Sequence, residues 1–304
     1  MSQSRSFIFG RRWSAQLTFA LGISLVVVFS LVPAVGIFAI SVTDIRSLPF
    51  IPIHFVGLEN YSTFFSSAQL GYNLHALKNT FVFAISVTLL QNSLALLIAV
   101  LLNQRLRGRN FARAVVFMPT ILGVTVIGLI FTLIFNPSGG PAASVWKSLG
   151  ASSAFFGDPH LAMALVIAVS VWAGMGVAVV IYLAGLQAIP GELYEVAAID
   201  GASSRQQLRH ITFPLLAPAV TANTLLSIIG ALQSYQLIYV LTGPINPATQ
   251  VLSLAIFTQG FGGAQGGAVQ SQGYAAAISV VQFIIVMIVS VATLLYLRRK
   301  ETSL

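Results

Sequence analysis

The sequence predicts an all-α integral membrane protein, with six transmembrane helices and both termini in the cytoplasm, on three observations. Of 304 residues, 57% are hydrophobic and only 7% are charged, and the mean hydropathy is +0.90. Soluble domains average roughly 25% charged residues, so this chain has too little charge to coat a water-facing surface. Six apolar stretches reach the roughly 20 residues that a helix needs to cross a bilayer. They are residues 17–42, 80–102, 115–135, 161–186, 219–241 and 275–297, and none contains an Asp, Glu, Lys, Arg or His. The third observation is where the basic residues fall. Arg5, Arg11, Arg12, Arg105, Arg107, Arg109, Arg113, Arg205, Arg209, Arg298, Arg299 and Lys300 share the side of the termini, against Arg46, Lys78 and Lys147 on the other. Lys and Arg accumulate in cytoplasmic loops and so orient the chain. The excess of 15 Lys+Arg over 7 Asp+Glu is then a matter of topology, not of nucleic-acid binding.

Taken in order, the first span follows Arg11-Arg12, but its apolar run to Val42 outlasts the roughly 7–15-residue core of a secretory signal. No A-x-A site follows, so it reads as an uncleaved helix, kinked at Pro33. Residues 43–79 form a first outer loop, and 103–114 a short basic inner connection. A second outer segment covers 136–160, and the third, 242–274, is rich in Gly and Gln and carries no charge. None of the spans shows the alternating pattern of about ten residues that marks a transmembrane barrel strand.

Several chemistries are excluded. With no cysteine there is no disulfide and no thiolate metal site. His54, His75, His160 and His210 fall in separate segments without ligand spacing. A P-loop needs Gly-Lys, and none of Lys78, Lys147 and Lys300 follows a glycine. Carriers driven by ion gradients commonly hold ionisable groups inside the membrane, and these spans have none. The chain is expected not to be an enzyme and to hold no cofactor or metal of its own. Energy for uphill transport would have to arrive from a partner at a cytoplasmic loop.

The loop at 187–218 is the informative one. Pro190 suits the first position of a helix, Glu192 and Glu195 suit its positive end, and Gly201 suits a left-handed terminator. Ser203 or Ser204 with Gln206 or Gln207 makes a capping box for a second short helix. Pro214 and Pro218 lead into the fifth span.

This segment resembles the importer permeases of ATP-binding-cassette systems. Their signature runs Glu-Ala-Ala, three residues, Gly, nine residues, Ile, one residue, Leu-Pro. Glu195, Ala197, Gly201, Ile211 and Pro214 match it, while Val196 and Phe213 depart from it with apolar residues. Further stretches resemble the maltose and glycerol-3-phosphate branch: Phe55 to Tyr61 with Phe64, Lys78-Asn79-Thr80, Arg113 to Pro119, Leu241 to Pro244, and Gly273 to Ala277. The resemblance covers residues 17–300, and the Arg298-Arg299-Lys300 ending is similar to the F-type subunit. It implies the maltose-type permease fold and one transmembrane domain over 1–304, with spans as above and a coupling loop at 187–218. It also implies a second, G-type permease subunit, two ATPase subunits that bind the ATP and Mg, and an extracytoplasmic solute-binding protein. Leu193, Glu195, Val196, Ala197, Ala198, Asp200 and Gly201 would then form the helix that docks the ATPase.

For the solute, the fifth span offers Gln233, Ser234, Tyr235, Gln236 and Tyr239. Helical spacing puts Gln236 one turn from Gln233, and Tyr239 one turn from Tyr235. Planar amides beside aromatic faces suit sugars, and in the maltose-type subunit the matching stretch lines the sugar site. Gln91, Asn92, Asn223 and Gln282 are further polar residues of the spans, open to solute contact or to helix–helix bonding. A sugar or sugar-like solute is the first expectation. A phosphate ester such as glycerol phosphate is the second, and a gradient-driven carrier or membrane enzyme acting alone is the third.

Overall fold

The computed structural model describes residues 16–46, 52–104, 107–244, 246–262 and 271–301. Arg5, Arg11, Arg12 and Arg105 lie outside them. In chain order the helices are α1 (Gln16–Ile40), α2 (Glu59–Phe64), α3 (Ser67–Asn103), α4 (Arg109–Ile121), α5 (Val124–Ile134) and α6 (Pro141–Ser148). Then follow α7 (Ala162–Gln187), α8 (Glu192–Ile199), α9 (Ser204–Leu215), α10 (Ala217–Leu232), α11 (Gln236–Thr242), α12 (Leu252–Phe261) and α13 (Gln272–Glu301). Two isolated antiparallel bridges, Thr43 with Phe55 and Arg46 with Ser271, are the β pairing among the described residues.

Four helices, α1, α3, α7 and α13, are each long and apolar enough to cross a bilayer. α4 with α5 and α9 with α10 pass that test only as pairs, bent by 99° and 62°. The span expected at 115–135 is therefore a bent pair and not one continuous helix. Pro119 lacks the N–H a continuing helix needs, and Leu122 (ψ 136°) and Gly123 (ψ 144°) are extended. The expected span at 219–241 is broken too, between Leu232 and Gln236. In α1 a π-helical turn at Val27–Leu31 immediately precedes Pro33, widening the helix where the ring would crowd a carbonyl four residues back.

α3 begins 13 residues before its apolar stretch, at Ser67, and at about 1.5 Å per residue it is about 55 Å long. Its polar first half continues as helix because its amides have partners. Asn73 donates to the Phe64 carbonyl at 2.9 Å and to Tyr274 Oη at 3.0 Å. Asn79 donates to the carbonyls of Pro247, Ala248 and Gln250. Thr80 Oγ1 accepts the Leu252 N–H at 2.9 Å. These bonds seat α12, an apolar helix inside what the Gly/Gln-rich composition suggests is only a loop. Ten residues are too few to cross a membrane, so the span criterion passes over it.

The core is built on α3 and α7, which pack along each other, with α10 against both. Phe83, Val87, Val166, Leu232, Ile238 and Leu254 join five helices in one buried cluster. Ala95, Ala99, Tyr182, Leu186 and Leu216 form a second. α1 stands apart, packed on α13 through Phe38 and Phe283 (6.0 Å, edge-on). None of its residues is buried, and its exposed side chains are predominantly apolar. The segment after α1 folds back on the end of that helix: Asn60 donates to the Ser41 and Thr43 carbonyls. The His54 N–H donates to Asp44 at 2.6 Å and holds that carboxyl below its ordinary range.

Candidate functional site

The 187–218 loop forms the two short helices its punctuation predicts, with Pro190 ahead of the first helix and not at its first position. α8 has its N-cap at Gly191, so Pro190 lies just ahead of the first turn, its carbonyl accepting the Leu193 N–H at 3.3 Å. Glu192 and Glu195 fall in the first turn, where the helix dipole favours negative charge. At the other end Gly201 takes φ +77°. The Ala202 N–H reaches the Ala197 carbonyl (2.9 Å) and the Gly201 N–H reaches the Ala198 carbonyl (3.1 Å), a Schellman closure that needs a left-handed residue at Gly201. Ser203 caps α9 in a complete capping box with Gln206.

What α8 presents outward is apolar and acidic. Leu193, Val196 and Ile199 are exposed, Ile199 at 85%. Glu195, Ala198, Asp200 and Gly201 are exposed as well, and Ala197 is half-buried. Two residues of this unit escape the motif. Ile199 continues the Leu193, Val196 spacing and is legible in the sequence from that period. Tyr194 ties α8 to its return strand of chain, its Oη 2.9 Å from Thr212 Oγ1. That partner is 18 residues away, and no local signal announces it.

A cavity of about 450 Å³ lies between α3, α5, α7, α10 and α11, at the break in the expected fifth span. Gln233 (φ −100°) and Tyr235 (φ −142°) leave helical geometry, so Gln233 and Gln236 are not stacked one helical turn apart. The break nevertheless brings Gln233, Ser234, Tyr235 and Gln236 together on the cavity wall. Non-helical backbone at membrane depth is tolerated where it lines a cavity. Tyr239 is not on that wall; it packs edge-on against Phe257 at 5.3 Å. Tyr235 stacks on the same ring at 5.0 Å and 25°. Ser170, Ser227 and Gln91 add polar atoms from α7, α10 and α3, and none of the described lining residues is charged. Ser170 and Ser227 escape a sequence reading because isolated serines in apolar spans carry no pattern.

The other amides of the spans bond between helices. Asn92 donates to Ser227 Oγ at 3.1 Å and accepts from Tyr182 Oη at 2.8 Å. Asn223 donates to the Ala178 carbonyl at 3.0 Å. Gln282 donates to the Leu232 carbonyl at 3.1 Å and to Ser253 Oγ at 2.7 Å. Gln91 does both things, lining the cavity while donating to the Gly174 carbonyl at 3.3 Å.

A family profile described as "Binding-protein-dependent transport system inner membrane component" matches residues 107–301. The trehalose/maltose transport system permease protein MalF of Thermococcus litoralis is 34% identical over 269 residues, 87% of each chain. The arabinooligosaccharides transport system permease protein AraP of Bacillus subtilis is 34% identical, over 88% of this chain and 83% of its own. The sn-glycerol-3-phosphate transport system permease protein UgpA of Agrobacterium fabrum is 33% identical, over 68% and 71%. Among solved structures, a chain of a bacterial ABC transporter importing the acidic polysaccharide alginate superposes with a TM-score of 0.81. It is 21% identical, and the match covers 98% of this chain and 99% of that one. A second alginate transporter structure, in complex with an alginate-pentasaccharide-bound periplasmic protein, gives a TM-score of 0.75 at 21% identity, over 95% and 93%.

Proposed function

The chain belongs to the binding-protein-dependent transport system inner membrane component family, and from that membership we propose that it forms half the pore of an ATP-driven importer for an uncharged saccharide. Membership alone does not choose the solute, since relatives are named for trehalose/maltose and for sn-glycerol 3-phosphate. The lining of the cavity carries the choice. Gln233, Ser234, Tyr235 and Gln236 offer amide donors and acceptors, hydroxyls and one aromatic face, the groups that bind neutral polyols. A phosphate calls for Arg or Lys, and none of the described residues lining this cavity is either. The test is uptake by the reconstituted importer. Maltose or trehalose is expected to compete with the transported solute, and glycerol 3-phosphate is not. Gln233→Ala and Gln236→Ala are each expected to raise the uptake KM about tenfold, the scale of one or two lost hydrogen bonds. Unchanged KM in both and in the double variant would assign these amides to packing.

The remaining parts follow the family. A G-type permease supplies the other half of the pore, an extracytoplasmic binding protein delivers solute, and two ATPase subunits bind the ATP and Mg. α8 is the coupling helix. Leu193 and Val196 anchor it apolarly, Ala197, Ala198 and Gly201 allow close approach, and Glu195 and Asp200 meet basic groups. Closure of the ATPases would draw two such helices together and rock the spans toward the outward-open state. Both termini face the cytoplasm, as the basic residues direct. A reporter fused after Leu304 is expected to be active only in the cytoplasm, and activity only outside would reverse the orientation.

A further inference from the structure

The break between α10 and α11 needs something to hold it. A helix end leaves carbonyls without partners, and in an apolar interior each such group is costly. Leu232, the last residue of α10, is 1% exposed. Its carbonyl accepts two donors from elsewhere in the chain, Ser253 Oγ on α12 at 3.1 Å and Gln282 Nε2 on α13 at 3.1 Å. Gln282 Nε2 also donates to Ser253 Oγ at 2.7 Å, so the three groups close a triangle. Every donor in it is used: one Gln282 N–H goes to each oxygen, and the serine hydroxyl donates to the carbonyl. Gln282 Oε1 is buried and without a partner. Reversing the amide would set that oxygen against the Leu232 carbonyl, two acceptors face to face, so this orientation is the one that serves the carbonyl. One helical turn beyond Ser253, Phe257 stacks on Tyr235.

We propose that Ser253 and Gln282 are positioning residues that hold α10 broken at Leu232, with Phe257 steadying Tyr235, so that α12 and α13 together set the cavity wall. Without these donors the Leu232 carbonyl would recover a partner by drawing residues 233–236 into helix or by admitting water, and either moves the wall. The consequence for solute binding rests on reading the cavity as the solute site; the bracket itself does not.

Hydrogen exchange of backbone amides, read by mass spectrometry on the assembled importer without solute, tests it. In Gln282→Leu, and in Gln282→Leu with Ser253→Ala, exchange at residues 233–237 is expected to change about tenfold, the scale of an orphaned buried carbonyl, while α7 and α8 keep their rates. Ser253→Ala alone alters little volume and is expected to give a smaller change at the same residues, so the proposal stays testable if the double variant fails to assemble. Ser253→Thr keeps the hydroxyl and is expected to exchange as the unaltered chain does. Unchanged exchange at 233–237, or a change spread equally over α7 and α8, would overturn the bracket. Altered exchange here together with unaltered uptake in the Gln233 and Gln236 variants would remove the solute reading and leave the bracket standing.

Discussion

Gly201 shows how much one residue can decide. Its φ of +77° closes α8, and nothing crowds the place a Cβ would occupy. The penalty of a substitution there is therefore conformational, not steric against neighbours. A β-branched residue in this region costs on the order of 1–3 kcal/mol, which the chain would relieve by reorienting the end of α8. Gly201→Val is expected to leave the protein in the membrane while abolishing binding-protein-stimulated ATP hydrolysis and uptake. Normal values for both would detach α8 from coupling. Gly201, Ser203 and Gln206 are legible in the sequence because caps depend on neighbours a few positions away. The Tyr194–Thr212 bond and the Tyr235–Phe257 stack are not, because their partners meet only once the chain has folded. Tyr239 went the other way. It stays one turn from Gln236 within α11, yet its ring packs on Phe257 and is not on the cavity wall.

At the level of elements, hydropathy found where apolar chain lies and missed where it bends. Residues 115–135 and 219–241 each carry no charge over the length of a span, and lipid-scale length gives no reason to divide them. The division at Leu122–Gly123 comes from Pro119 and extended backbone, and that at 233–235 from donors on α12 and α13. The halves then need new neighbours, and α5 packs on α11. The contact is close at Gly128, where an added Cβ would lie 2.8 Å from Val240 Cβ, and real carbon pairs do not approach so near. Gly128→Val must push α11 away and with it the end of the cavity wall that begins at Gln236. Overpacking of this kind costs typically about 1–3 kcal/mol. The variant is expected to lower the melting temperature of the purified importer by several degrees and to raise the uptake KM. An unaltered melting temperature would mean that the two helices separate without cost.

Across the whole molecule, the cavity and the 187–218 loop are joined by the two helices that flank that loop. α7 contributes Ser170 and Ala173 to the cavity and runs unbroken to Gln187, a distance of about 21 Å from Ala173 at about 1.5 Å per residue. α8 starts a few residues later, and α9 leads back through α10 to Ser227 and Ala231 on the same wall. Tyr182, Leu183 and Leu186 of α7 are buried with Leu216 at the start of α10, so the base of this pair is packed together. A displacement of α8 by an ATPase would thus tilt both sides of the cavity together. The connection from α7 to α8 is short, and Ile189 within it is buried, which makes it stiff enough to transmit the motion. Two glycines inserted between Ala188 and Ile189 should break that transmission without touching the exposed face of α8 or the cavity. ATPase co-purification and ATP hydrolysis are expected to persist, while solute uptake per ATP hydrolysed falls at least about tenfold. Ile199→Asp is expected to do the opposite, placing charge on the most exposed apolar side chain of α8 and weakening ATPase co-purification itself. Measuring hydrolysis and uptake in the same vesicles separates the two outcomes. Full uptake in the glycine insertion would show that the coupling loop acts on the pore by a route other than α7.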